Sequence, residues 1–283
     1  MIALGPRRRR ALARHTIIYG SAALVLAVMA FPLYGLLLTS VQPESVIRSR
    51  DVQFLPSNLF LEHFKEVLGQ GHIVPIREGI RNSLIVSTMT AAVCLILALP
   101  AAYAISRLRL PGSSFVIGAM ASVYFLPTVL FLIPMFVIFV RWGLDDSFLS
   151  LIIAYSGFIL PFEILILKAF IDKVPKEIED SAKVDGCSDI QALARVMLPL
   201  VRPGILAGFI FAFILSWIEF LTPLIFTSDL KISTVALGMF RSTIDIKVGQ
   251  QAAAAVLTLL PVALLMLVFQ NLITRVLLEG ADK

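Results

Sequence analysis

Six stretches of this chain run for some two dozen residues or more with almost no charge, and no other feature limits the fold so severely. Ile17–Ser40, Asn82–Ser106, Leu110–Val140 and Val248–Thr274 carry no Asp, Glu, Lys or Arg. Ser147–Ile171 carries only Glu163 and Lys168, and Pro203–Asp229 only Glu219 before its terminal Asp229. A helix crosses the hydrocarbon core with ~20 apolar residues, and each run reaches that length. Backbone groups find no water in lipid, so a helix is the form that satisfies them within one segment. The reading is an all-α, polytopic membrane protein of six transmembrane helices. Composition agrees: 58% of the 283 residues are hydrophobic and 15% charged, against about 45–50% and about 25% in soluble domains. A disordered chain, a disulfide scaffold and a typical soluble enzyme are thereby excluded.

The first run follows Arg7–Arg10 and resembles the start of a signal peptide. Its apolar stretch exceeds the ~7–15 residues of a signal core, so it reads as a retained helix. Six spans put both termini on one side. The segments 1–16, 106–113, 172–203 and 275–283 hold 14 Lys and Arg in 65 residues, and the opposite segments 42–82, 141–147 and 228–251 hold 9 in 72. Basic loops stay inside, so both termini are expected in the cytoplasm, with 1–16 and 275–283 as cytoplasmic tails around a six-helix transmembrane domain over 17–274. The net charge of +5 is thus assigned to orientation, and no nucleic acid is expected. Cys94 falls mid-span and Cys187 in a loop, too far apart for a disulfide. In the long loop 42–82, Leu61, Phe64 and Leu68 share a helical face, as in a helix lying at the outer membrane surface.

Chemistry-bearing motifs are scarce. Three histidines form no metal-spaced pair, no Gly-x-Ser-x-Gly elbow occurs, and Gly is never followed by Lys, which excludes a P-loop. No catalytic residue, metal site or cofactor is expected in this chain. Any ATP-driven role would therefore need a separate motor.

The loop 172–203 is the unusual segment, since helix–helix links in bundles need only ~2–8 residues. Pro175 suits a first helical turn, with Glu177, Glu179 and Asp180 near the positive helix end. Gly186 fits a left-handed C′ position closing that helix. Ser188 and Gln191 make a capping box that opens a second helix, with Ile190, Leu193, Ala194 and Met197 on one face and a stop near Pro199. A plain solvated connection is the competing reading.

The run from Pro175 through Glu177, Glu179, Asp180, Ser181, Ala182 and Asp185 to Gly186, with Leu198-Pro199 downstream, resembles the "EAA" loop of permease subunits of ABC importers. The family's Glu-Ala-Ala reads Asp180-Ser181-Ala182 here. Further residues resemble carbohydrate importers of the maltose type: Thr39-Ser40-Val41-Gln42-Pro43, Arg81-Asn82-Ser83, Ala101-Ala102-Tyr103-Ala104, Pro111-Gly112 and Trp142-Gly143-Leu144. The ending Gly280-Ala281-Asp282-Lys283 is similar to that of the G-type permease. The resemblance implies a subunit of an ATP-driven importer of a sugar or sugar-like solute in a bacterial inner membrane. It also implies a second, homologous permease as heterodimer partner, two ATPase subunits that bind ATP and Mg, and an extracytoplasmic solute-binding protein. Glu177, Glu179, Asp180, Ser181, Ala182, Asp185, Gly186, Leu198 and Pro199 become the expected coupling residues towards the ATPase.

Ionisable groups within a span cost ~2.5 kcal/mol or more near its centre. Lys168 can snorkel to the near end. Glu163, roughly 12 Å deep at 1.5 Å per residue, is either paired in the bundle or faces a wet cavity. Glu219, with Trp217 nearby, and Asn82 are candidates for lining the translocation pathway. The remaining alternative is an ion-coupled secondary transporter of a small polar solute.

Overall fold

The computed structural model describes residues 6–51, 53–56, 58–69, 74–108, 110–240 and 247–281, with side chains described from His15 to Gln270. Asp282 and Lys283 of the expected tail motif, and the first five residues, lie outside the described residues. The chain forms two compact units, residues 1–72 with 243–257 and residues 73–242 with 258–283. Among the described residues every regular element is helical.

The first unit contains α1 (Pro6–Ser40), α2 (Glu44–Ile47), α3 (Glu62–Leu68) and the start of α14 (Val248–Ala281). Its polar joint centres on His63, whose Nε2 lies 2.9 Å from the Gln42 carbonyl oxygen. Gly249 packs directly against that imidazole, and its N–H donates to Glu44 Oε1 at 2.7 Å. The buried stripe of α3 is therefore His63 and Val67, one turn apart. Leu61 and Leu68 remain exposed, so the apolar face expected from the sequence is not the face that packs within the unit.

The second unit is a helical bundle. It contains α4 (Ile76–Arg107), α5 (Ser113–Ser122), α6 (Val129–Arg141), α7 (Phe148–Lys173), α8 (Lys176–Val184), α9 (Asp189–Ala192), α10 (Leu198–Leu200), α11 (Arg202–Ile218), α12 (Leu221–Phe226) and α13 (Ser233–Met239), with the rest of α14. Parallel α4 and α7, whose C-terminal ends meet at Arg107 and Ile171, form its spine, and α11 packs across both. One apolar cluster fills the middle, with Leu132, Leu151, Tyr155, Phe213 and Trp217. A second surrounds Tyr103, Leu167, Ile171 and Met197 at the Arg107 end of α4.

Among the described residues four helices are long and apolar enough to cross a membrane: His15–Ser40, Ile76–Arg107, Phe148–Lys173 and Val248–Gln270. Two bent pairs raise the number to as many as six. The third expected span is one of them, because α5 and its 3₁₀ extension to Phe125 meet α6 at 97°. Pro127 lies in the break, where it can neither donate a helical hydrogen bond nor let Leu126 stay helical. Pro100, Pro134, Pro161 and Pro261 sit inside helices that continue through them. The fifth expected span also ends early. The α11 helix stops at Ile218, Glu219 turns extended, and α12 begins two residues later.

Small residues let α11 approach α7. A Cβ on Gly208 would stand 1.9 Å from Glu163 Oε1, and one on Gly204 would stand 2.5 Å from the Phe170 ring. Close helix approach over glycine is a main source of association where lipid removes the hydrophobic drive. Glu163 is completely buried and neither oxygen has a hydrogen-bond partner among the described residues, so of the two readings open from the sequence, pairing within the bundle is not seen there. Gly208→Ala should lower the stability of the purified chain by about 1–3 kcal/mol through overpacking, and Glu163→Ala in the same background should restore part of it. Melting temperatures of the two variants in one detergent check this; an unchanged value for Gly208→Ala contradicts the close approach.

Candidate functional site: the 172–203 loop and the cleft beside α12

Chain geometry makes the loop a rigid hairpin. Pro175 precedes α8, and Glu177 and Glu179 lie in the first turn, where the helix dipole favours negative charge. At the other end Gly186 takes φ +89°, a conformation that β-branched side chains resist. The Cys187 N–H donates to the Ala182 carbonyl and the Gly186 N–H to the Lys183 carbonyl, both at 3.0 Å. That pair of bonds is a Schellman closure, and it reverses the chain without a flexible linker. The Ser188 hydroxyl then accepts from the Gln191 N–H while the Gln191 side chain accepts from the Ser188 N–H, forming the expected capping box.

Beyond that cap the structure departs from the expected face. Leu193–Met197 form a π turn, which shifts the register by about one residue relative to a 3.6-residue period. Ala192 and Met197 are buried, whereas Ile190 and Ala194 point outward. The helical course continues past Pro199 to Leu200, because Pro199 sits in a first turn whose N–H needs no helical partner.

The expected coupling residues divide into two groups. Glu177, Asp180, Ser181, Asp185, Gly186, Leu198 and Pro199 are exposed, and Ala182 is half-buried. Three apolar side chains stand exposed among them, Ile178 and Val184 on α8 and Ile190 on α9, with Val184 88% exposed. Glu179 belongs elsewhere. Its side chain is 3% exposed and points into the bundle, so it is not part of the outward acidic face expected from the sequence.

Glu179 instead ties α8 to the end of α4. Its Oε1 accepts from the Tyr103 hydroxyl at 2.7 Å and from Lys183 Nζ at 2.9 Å, and its Oε2 lies 3.1 Å from Arg107 Nε. The Arg107 contact is an off-line ion pair, because Arg107 spends its Nη2 on the carbonyls of Ile171 and Val174 at 2.8 and 2.6 Å. One guanidinium thus joins the end of α4, the end of α7 and the base of α8. Lys183 also reaches Asp189 Oδ1 at 2.9 Å, which binds α8 to α9. Burial alone would push the Glu179 carboxyl up, but Lys183 and Tyr103 outweigh it and hold the group below its ordinary range. Asp189 and Glu179 together push the Lys183 ammonium well above its usual value. Sequence reasoning missed Tyr103 and Arg107 as site residues; the only signal was an Arg and a Tyr four apart at the end of a charge-free run.

The pathway candidates separate as well. Asn82 donates to the Lys231 carbonyl at 2.8 Å, and Trp217 is buried, with its Nε1 donating to the Thr258 carbonyl at 3.2 Å. Both are occupied by the packing. Glu219 spans the break after α11, accepting from the N–H groups of Leu221 at 3.2 Å and Thr222 at 2.8 Å. It lines a cleft of about 260 Å³ together with Tyr124, Tyr155 and Phe158. A second acid unseen in the sequence, Asp146, takes φ +52° and accepts from the backbone N–H groups of Ser228, Asp229 and Leu230 at 2.9–3.1 Å. Burial works to raise its carboxyl, and those three amides bring it below the usual carboxylate range. Among the described residues no group of three His, Cys, Asp or Glu could hold a metal ion.

Residues 95–278 match the family described as "Binding-protein-dependent transport system inner membrane component". This chain belongs to that family. It is 32% identical over 267 residues to the inner membrane ABC transporter permease protein YcjP of Escherichia coli strain K12, covering 94% of this chain and 95% of that one. It is 31% identical over 266 residues to the diacetylchitobiose uptake system permease protein DasC of Streptomyces coelicolor, covering 93% and 95%. Its fold is similar to a chain in the crystal structure of a bacterial ABC transporter involved in import of the acidic polysaccharide alginate, with TM-score 0.78, 18% identity and coverage of 96% and 99%. As an inner membrane transport component, the chain works with partner subunits.

Removing Arg107 strips buried Glu179 of one of its two cationic partners and frees the Ile171 and Val174 carbonyls, while Lys183 remains, so the cost stays below the about 3–5 kcal/mol of a fully broken buried pair. Arg107→Ala should therefore melt below the parent in detergent, while Arg107→Ala combined with Glu179→Gln should recover part of the loss. The pH dependence has a fixed sign. The folded-state carboxyl of Glu179 lies below its ordinary 4.5, so its contribution is complete above that pH and disappears as pH falls through the lower folded value. A Glu179→Gln chain should lose this part of the acid sensitivity, read from melting curves between neutral and acidic pH.

Proposed function

We propose that this chain is one of two homologous permeases in an ATP-driven importer of a sugar or sugar-like solute. ATP and Mg are held by two separate ATPase subunits, and a solute-binding protein delivers cargo from outside. Both termini and the 172–203 loop then face the cytoplasm, in keeping with the Lys and Arg distribution, and residues 17–274 act as a single permease domain. Family membership carries the transport role. The likeness to a diacetylchitobiose permease along nearly the whole of both chains supports a carbohydrate cargo.

The observation that carries the coupling reading is the division of α8 into two faces. Outward, the apolar Ile178, Val184 and Ile190 and the acidic Glu177, Asp180 and Asp185 are all exposed. Exposed apolar side chains interspersed with charge are the kind of surface a protein partner covers. Inward, Glu179 and Arg107 fix the same helix to α4 and α7. A push on the outer face therefore reaches the spine of the bundle as rigid-body motion, since the Schellman and capping-box closures leave little slack. Exchange between inward-open and outward-open states from 1:99 to 99:1 takes ~5.5 kcal/mol of differential binding, which closure of an ATPase dimer on nucleotide can supply.

Asp180→Lys should reduce co-purification of the ATPase at least several-fold while leaving membrane insertion intact, because Asp180 is exposed on α8. Gly186→Val should leave the chain inserted and the ATPase bound yet suppress uptake, since a left-handed Val costs roughly 1–2 kcal/mol and unwinds the closure. Pull-down stoichiometry and labelled-solute uptake separate the two. Full ATPase retention by Asp180→Lys removes the docking role, and normal uptake by Gly186→Val removes the lever.

A further inference from the structure

The joint between α10 and α11 carries positive charge that the coupling reading does not use. The segment Asp189–Leu200 leaves the axis of α11 by 80°. Beyond Arg202, α11 has no charge up to Ile218, and it packs across the α4–α7 spine. A segment turned that far from a spanning helix runs close to the plane of the membrane surface. Met197 and Val201 anchor it, both buried in the apolar cluster around Leu167 and Ile171. With those two facing inward, Arg195 and Arg202 stand exposed. Apolar side chains plugged inward and arginines turned outward mark a helix that lies in the membrane interface. A third cation joins from α7. Gly204 meets the Phe170 ring directly, and Lys173 Nζ sits 5.4 Å from the centre of the same ring. Arg202 and Lys173 therefore flank one helix crossing. Neither of them, nor Arg195, forms an ion pair among the described residues. The acids around them are engaged elsewhere: Asp172 with Lys168 and Ser106, Glu179 with Arg107, Lys183 and Tyr103, and Asp189 with Lys183. Exposed Leu200 and Leu206 border the same crossing.

We propose that Arg202 and Lys173, with Arg195 at the rim, hold the phosphate of an anionic phospholipid. The inference needs only a membrane-spanning chain; the cytoplasmic placement of the 172–203 loop adds that the lipid belongs to the inner leaflet. Cations gathered without counter-ions repel one another, and an anion placed among them removes that cost. The Arg202 guanidinium offers a planar fork to phosphate oxygens and Lys173 a point charge, a pairing suited to a phosphodiester. The position selects a lipid as its source. Basic side chains immediately beside a spanning helix meet the headgroups of anionic lipids. Leu200 and Leu206 lie where the acyl chains of the same molecule begin, whereas a free anion would leave both uncovered. A lipid seated there touches the last turn of α7 and the first turn of α11 together. It therefore closes the root of the 172–203 loop from the membrane side, as Arg107 closes it from within.

The test is native mass spectrometry of the full chain in detergent, with equal amounts of phosphatidylglycerol and phosphatidylcholine added. Phosphatidylglycerol should be retained at least about tenfold better, since each basic residue beside an anionic headgroup contributes roughly fivefold. The preference should shrink as salt is raised. Lys173→Gln combined with Arg202→Gln should bring the two lipids within about twofold of each other, because both cations that flank the crossing are gone. Both residues are exposed, so the fold should survive, and Arg202→Lys, which keeps the charge, should retain most of the preference. Arg141→Gln removes an exposed cation at the end of α6, beside the start of α7, and should change nothing. Equal retention of the two lipids by the parent chain overturns the proposal, as does an undiminished preference in the double variant. Displacement of the lipid by millimolar inorganic phosphate overturns it too, since the site would then take a free anion. Co-purification of the ATPase with the same variants separates this idea from coupling. Loss of the lipid preference with docking intact is the expected result, whereas loss of docking with the preference intact assigns these cations to the ATPase and ends the lipid site.

Discussion

A buried ion pair at the foot of a membrane bundle is an expensive device. Desolvation of Arg107 and Glu179 is offset only because each is held by further partners: Tyr103 and Lys183 on the acid, two backbone carbonyls on the base. A hydrophobic pair of the same volume would serve stability equally well or better. What charge adds is directionality. The guanidinium fork reaches α4, α7 and α8 at fixed angles, so α8 cannot slide on the bundle as an apolar contact would allow. Everything the loop does mechanically depends on this joint, because α8 is only nine residues long and could not hold its own position.

The same logic explains why the loop is closed so tightly at Gly186 and Ser188. A lever transmits displacement only if its bends are stiff. The Schellman closure and the capping box satisfy the backbone groups of the reversal locally, and Lys183 joins Asp189 across it. The π turn that follows accompanies a division of the apolar residues, with Met197 buried under the bundle and Ile190 exposed. An unbroken α-helix would have placed Ile190, Leu193, Ala194 and Met197 on one stripe.

Much of this was legible in the residues. Charge-free runs of helical length fix the all-α membrane class, since lipid leaves the chain few other choices. Pro175, Gly186 and the Ser188–Gln191 spacing announce the loop hairpin because their chemistry is local. What could not be read is of another kind. The inward turn of Glu179 depends on Arg107, seventy-two residues away, and sequence position alone gives acids at 177, 179 and 180 equal standing. The bend at Pro127 was visible only as an interruption, since proline states that a helix is disturbed but not by how much. Trp217 beside Glu219 suggested a shared role, yet extended backbone at Glu219 turns the two side chains into different surroundings, one the core and the other the cleft.

Placing the weak points of the helices at the cleft has a mechanical consequence. Motion delivered at the Arg107 end of α4 and α7 travels along continuous helices to the core around Leu151 and Tyr155. The elements facing the cleft from α5, α6 and α12 are interrupted there. Under one displacement continuous helices move as bodies, and interrupted ones change angle at their breaks, where a few φ/ψ values absorb the difference. A cleft bordered by α7 on one side and by broken helices on the other therefore changes width when α7 shifts, with no side chain required to act as a gate. Glu219 links the elements around that break, because its carboxylate holds the first turn of α12 while its carbonyl accepts from the hydroxyl of Thr234, in α13, at 2.7 Å. On the coupling reading proposed above, the joint at Glu179 is where force would enter the bundle and the break at Glu219 is where the shape of the cleft would respond.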